Sequence, residues 1–185
     1  MKNPKIAIIS SGNKEIFNFA IPIGIGLIDS AINLTRLCLF DKPDMLIFIG
    51  SAGSYGKLNI FELIETSTAS NIEHCFLKKE CYTPIDNIIS VTVSRETVIN
   101  SSNYITQSKL ISKAYLKLNI DAENMEFFSV VKVAKEFNIP VKGIFVITNY
   151  CYENAHKEYI QNIDTAKDKL IKYLSNKKII KEING

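Results

Sequence analysis

Met45-Leu-Ile-Phe-Ile49 is apolar at every position and runs straight into Gly50-Ser-Ala-Gly53. A strand that is half exposed alternates apolar and polar residues, whereas one covered on both faces reads as a continuous apolar run. This segment therefore predicts a strand buried on both faces, with layers of helix above and below it. Asp41-Lys-Pro-Asp44 ahead of it reads as a turn. Lys5–Ile9 and Val141–Ile147 have the same β-rich character, the first followed by Ser-Ser-Gly-Asn and the second entered through Pro140.

Between these runs the period changes. Leu27, Ile28, Ala31, Leu34, Leu37 and Cys38 are spaced as one face of a helix over Leu27–Phe40. Gln107–Leu118 and Glu126–Phe137 read as helices, as does Asn154 to about Leu174, while Ile72–Leu77 and Ile88–Val93 read as strands. Helices alternating with buried strands predict an α/β fold, a three-layer sandwich around a central mixed, largely parallel sheet. No repeat or composition break divides the 185 residues, so residues 1–185 are taken as a single domain.

Composition narrows the function classes. A net charge of +3 with scattered lysines predicts neither a nucleic-acid nor a membrane partner, and Lys177, Lys178 and Lys181 read as a solvated helix end. The first long apolar stretch is interrupted by Pro22, Gly24, Gly26 and Asp29, and the N-terminus lacks a leader pattern. Cys38, Cys75, Cys81 and Cys151 have no CxxC spacing, which predicts reduced thiols and a cytoplasmic location. His74 and His156 are the only histidines and form no ligand cluster with the cysteines, so no metal site is expected.

In such folds ligands collect beyond the carboxyl ends of strands. That selects Ser10–Lys14, Ser51–Tyr55 and Thr148–Tyr152 as candidate loops. Gly50-Ser-Ala-Gly53 lets backbone N–H groups approach a ligand, or is a plain turn; it is neither a GxxxxGK[ST] nor a GxGxxG loop. Glu126 is either a residue that favours a helix start or an acceptor for two adjacent sugar hydroxyls, with Met125 packed on the sugar's apolar face. Asn149 is a turn former or a polar group facing the cleft. Glu15 is solvent-facing or activates a water.

The order of these features is more specific than any one of them. A strand and a loop holding Glu15 are followed by PDMLIFIGSAG, then NMEFFSVVKVAKEFNIPV, then a strand ending in Asn149. This resembles the nucleoside phosphorylase and nucleosidase superfamily, and most of all its methylthioadenosine/S-adenosylhomocysteine nucleosidase and futalosine hydrolase branch, in a short and trimmed form. The resemblance runs from Lys5 to about Leu174. It implies cleavage of a ribosyl–base N-glycosidic bond through an oxocarbenium-like sugar. By that resemblance Glu126 holds ribose hydroxyls, Met125 packs under the sugar, and Glu15 positions and deprotonates water. Ser51, Ala52 and Gly53 lie beside sugar and nucleophile. No metal or organic cofactor is implied, and a homodimer or higher homo-oligomer is.

Two departures matter. Asn124 stands where the family motif begins with an acidic residue, and Asn149 stands where the adenine-releasing nucleosidases have an aspartate. An amide can hydrogen-bond but cannot act as an acid. Asn149 therefore implies a hypoxanthine-type base or a loss of activity. Phosphorolysis needs cations around the phosphate, and the chain has only Arg36 and Arg95. Arg36 reads as a helix surface residue, and Arg95 as a possible phosphate contact or a solvated turn. Three readings follow: a hydrolytic purine nucleosidase, a phosphate-dependent phosphorylase, and a nucleoside-binding or structural protein without turnover.

Overall fold

The computed structural model describes residues 4–90 and 96–180. The chain runs β1 (Ile6–Ser10), β2 (Ile21–Pro22), α1 (Gly26–Asp41), β3 (Met45–Ser54), β4 (Leu63–Thr66), β5 (Thr68–Ser70) and α2 (His74–Leu77). It continues β6 (Ile88–Ser90), β7 (Ile99–Asn100), α3 (Lys109–Lys117), β8 (Ala122–Glu123), α4 (Phe127–Glu136), β9 (Val141–Tyr150) and α5 (Ala155–Asn176). No helix among the described residues is long and apolar enough to cross a membrane.

β3 is the axis of the sheet, parallel to β1 on one edge and to β9 on the other. Its alternate residues feed two cores, as a doubly covered strand must. Leu46 and Phe48 pack with Leu34 and Cys38 of α1 and with Val130, Val131 and Ala134 of α4. Ile47 and Ile49 pack on the opposite face with Ala166, Leu170 and Leu174 of α5. A smaller cluster, with Tyr55, Tyr115 and Cys151, fills the end nearest α3. The expected α/β sandwich is present, with a mixed, mostly parallel sheet flanked by helices. Phe17 and Phe127 belong to its cores.

Several local expectations are corrected. Gly50–Ser54 is not a loop: β3 continues through it, paired with Phe145–Tyr150 of β9 across a bulge between Ala52 and Gly53. Thr148–Tyr150 is likewise strand. Small residues are needed at this end of β3 because the space beside them is taken. A Cβ on Gly50 would lie 3.2 Å from Glu15 Oε2, and one on Gly53 would lie 2.7 Å from Cys151 Sγ. Ile72–Leu77 is not a strand. The Ile72 N–H goes to Asn100 Oδ1 instead of a ladder, and His74–Leu77 turns into a short helix. Of the expected strand Ile88–Val93, Ile88–Ser90 is observed, and the rest lies outside the described residues.

The cysteine expectation is also overturned in part. Cys75 and Cys81 form a disulfide with their Cα atoms 5.5 Å apart, while Cys38 and Cys151 are free and buried. The turn after α2, with Lys79 at φ 60°, folds the chain back far enough for the two sulfurs to meet.

Candidate active site

On one edge of β3, the ladder with β1 stops at Phe48 and the ladder with β8 begins at Gly53. Between them the backbone of Ser51 has no strand partner on that side. Buried backbone groups must still be paired, and two side chains do it. Glu15 Oε1 accepts from Ser51 N–H at 2.7 Å, and Asn124 Nδ2 donates to the Ser51 carbonyl at 3.1 Å. The gap opens into a cavity of about 260 Å³.

Glu15 closes a 3-10 turn, Asn13–Glu15, that follows β1 through Gly12 at φ 125° and Asn13 at φ 52°. Its side chain is buried, and Ser11 Oγ donates to its Oε2 at 2.6 Å. Burial pushes its pKa up, against the opposing pull of the bonds from Ser11 and Ser51. Glu126, also buried, sits at the start of α4, where Asn124 Oδ1 accepts from the N–H groups of Glu126 and Phe127. Asn124 thus serves the start of α4 with its amide oxygen and pairs β3 with its amide nitrogen at once.

Glu126 Oε1 accepts from Gly26 N–H, the first residue of α1, at 2.9 Å. Burial raises its pKa to about 7; the Gly26 bond lowers it and the charge of Glu15 raises it further. The two carboxyl groups therefore sense each other across the cavity. Tyr159 of α5 stands beside both, and its phenol is pushed up to about 12 by burial and then by Glu15 and Glu126. At the end of β9, Asn149 is buried; its Oδ1 accepts from Thr148 Oγ1 at 2.9 Å, and its Nδ2 lies toward Gly53.

Glu15, Ser51, Ala52, Gly53, Met125, Glu126 and Asn149 all line this one cavity. Arg36 is exposed on α1 and does not line it. Arg95 lies outside the described residues. Sequence reasoning missed Glu123 and Tyr104, and it placed Tyr159 only within the helix from Asn154 to about Leu174; all three line the cavity. Two buried carboxyl groups beside a buried amide can hold hydroxyls, prepare a water and bind a heterocycle edge.

A family model described as the phosphorylase superfamily matches residues 84–176. A 5′-methylthioadenosine/S-adenosylhomocysteine nucleosidase of an Exiguobacterium species is 23% identical over 171 residues, which is 80% of this chain and 71% of that protein. Among solved structures, a Helicobacter pylori MTAN mutant with 5′-methylthioadenosine in the active site superposes with a TM-score of 0.81 at 17% identity, covering 95% of this chain and 98% of that one. Native Helicobacter pylori futalosine hydrolase gives 0.79 at 18% identity, over 93% and 96% of the two chains. The order of strands around β3 and the match over half of the sequence lead to one conclusion: this chain belongs to the phosphorylase superfamily.

Proposed function

We propose that this protein is a nucleosidase that hydrolyses the N-glycosidic bond of a purine nucleoside, with a 6-oxopurine as the released base. The observation that carries the reading is the pair Glu15 and Glu126, both buried in one cavity that also holds Asn149. Glu15 takes a proton from water as the water oxygen bonds to C1′ of the ribose. The C1′–N bond breaks, its electron pair leaves with the base, and solvent water protonates the base while Glu15 returns its proton to solvent. Glu126 accepts from the ribose hydroxyls, and Met125 packs against the ring. Asn149 hydrogen-bonds the base and, being an amide, supplies no proton, which favours a base other than adenine.

Water rather than phosphate is the nucleophile in this reading. Among the described residues no Arg or Lys lines the cavity, and its two buried carboxyl groups offer no positive charge to hold a phosphate dianion. A homodimer is part of the proposal. Ile25, just before α1, and Ile28 and Ile32 on it are exposed, and Ile25 also lines the cavity, so a second copy would cover apolar surface at its mouth.

The test is base release from inosine, adenosine, methylthioadenosine and futalosine, each with and without phosphate. Release of hypoxanthine without phosphate is expected, and release only with phosphate would replace hydrolysis by phosphorolysis. Glu126→Ala is expected to abolish turnover with the fold intact. Glu15→Gln should lower kcat by about 10²- to 10⁴-fold, the usual worth of a general base. Normal turnover in either variant would refute its assigned role.

A further inference from the structure

Glu15 is a long, flexible side chain, and its carboxyl group serves a water only where it is held in place. Ser51 N–H donates to Oε1 at 2.7 Å, and Ser11 Oγ donates to Oε2 at 2.6 Å. The bond from Ser51 also satisfies a backbone group that the sheet leaves unpaired. The bond from Ser11 meets no such need of the sheet, and calls for a reason of its own.

The backbone at Ser11 is fixed without help from Glu15. β1 ends at Ser10, paired with Pro22 of β2, and the Ser11 carbonyl accepts from Gly24 N–H at 2.8 Å. The chain then turns through Gly12 at φ 125° and Asn13 at φ 52°, which brings Glu15 back to Ser11. A short side chain on an anchored strand end thus grips a long one. Oε2 also lies against the bare backbone of Gly50, where a Cβ would stand 3.2 Å away. Ser11 is itself buried and lines the cavity.

A hydrogen bond to a carboxylate is charge-assisted and stronger than one to the neutral acid, so Ser11 opposes the effect of burial on Glu15. The other titratable and charged groups that face Glu15 are Glu126 at the start of α4 and Lys167 and Tyr159 of α5. Glu123 and His156 line the same cavity.

We propose that Ser11 is a positioning residue, whose hydroxyl fixes the Glu15 carboxyl group and holds it as the anion that takes a proton from water. This rests on the hydrolytic reading of the cavity and adds to it the group that prepares the base. A carboxylate offers about four acceptor directions. With one on each oxygen taken by protein, those left over give the water a defined place.

The test pairs the carbon-13 resonance of the Glu15 carboxyl group, which titrates without turnover, with the pH profile of kcat/KM for inosine. Loss of the signal in Glu15→Gln assigns it. In Ser11→Ala the Glu15 titration is expected to move up by about one pH unit or more, the worth of a hydrogen bond to a charged group. The acid limb of kcat/KM should move up with it. Ser11→Thr, which keeps the hydroxyl, is expected to restore both. If Ser11 only braces the loop, Ser11→Ala lowers Tm while the Glu15 titration and the acid limb stay in place, which overturns the proposal. Equal shifts in Ser11→Ala and Ser11→Thr also overturn it, because the hydroxyl is then not the cause. Failure of the hydrolytic reading looks different. The Glu15 titration shifts in Ser11→Ala and returns in Ser11→Thr, yet the wild type releases no base from any nucleoside of the panel; that result upholds the grip of Ser11 on Glu15 and overturns the reaction assigned to it.

Discussion

At the scale of single residues, Glu126 links the site to stability. Its pKa is about 7 in the folded protein against 4.5 ordinarily, chiefly because burial disfavours the charged form. Below about pH 4.5 the group is protonated in both folded and unfolded chains, and its stabilising contribution is fully present. Between 4.5 and 7 the unfolded chain gives up the proton while the folded chain keeps it, so that contribution is lost as pH rises through 7. The shift corresponds to about 3 kcal/mol at most. Glu15 is shifted in the same direction, so the test must compare a variant with the wild type. Urea midpoints at pH 4.5 and pH 8 should show Glu126→Gln gaining on wild type by up to about 3 kcal/mol at the higher pH. A constant difference between the two proteins would mean that Glu126 does not titrate in this window. The carboxyl group proposed to meet ribose hydroxyls is thus buried at a cost in stability, as buried site groups commonly are.

At the scale of elements, β3 and β9 are shaped by what stands beside their glycines. A Cβ on Gly143 of β9 would lie 2.5 Å from Phe145 Cε2 and 2.6 Å from the Phe127 ring, inside the packed cluster of Phe48, Phe127 and Phe145. Gly143→Ala is therefore expected to cost about 1–3 kcal/mol by overpacking. A Cβ on Gly53 would instead meet Cys151 Sγ and Asn149 Nδ2. Gly53→Ala should displace Asn149, so that base affinity falls further than in Gly143→Ala for the same loss of stability. Thermal melts and hypoxanthine titrations of the two variants compare the effects directly. Helices α1, α4 and α5 are legible in the sequence because their apolar stripes persist over several turns. β7 and β8 are not, because two residues cannot display a period, and they exist only through pairing with β5 and β3. The end of β3 reads as a loop because its small residues are turn formers in isolation; crowding by Glu15, Asn149 and Cys151, invisible in a linear reading, is what selects them. For the same reason Glu15, Glu126 and Asn149 can be picked out by motif, whereas Glu123 cannot. Its place in the cavity depends on the register of β8 against β3.

At the scale of the whole molecule, the cavity is assembled from segments that are distant in the chain. Glu15 follows β1, Ser51–Gly53 lies on the central strand, Glu126 begins α4, Asn149 ends β9, and Tyr159 belongs to α5. The hydrogen bonds that shape it are long-range: Glu126 reaches back 100 positions to Gly26, and Asn124 reaches 73 positions to Ser51. Glu15, to which the proposed reaction assigns the water, is also one of the two side chains, with Asn124, that close the gap in the sheet between β1 and β8. Unpairing any one of these segments dismantles the site, so under the proposed function the energy of ligand binding adds to the stability of the whole fold. A base at 100 times its Kd adds about 2.7 kcal/mol to the unfolding free energy. For a chain of this size that raises Tm by about 5–10 °C. Scanning calorimetry with hypoxanthine should show one transition that moves upward as a unit. A melt that splits, with one component indifferent to hypoxanthine, would mean that some of these segments fold independently of the cavity, and that the sheet around β3 is not the cooperative frame that couples Glu15 to Glu126.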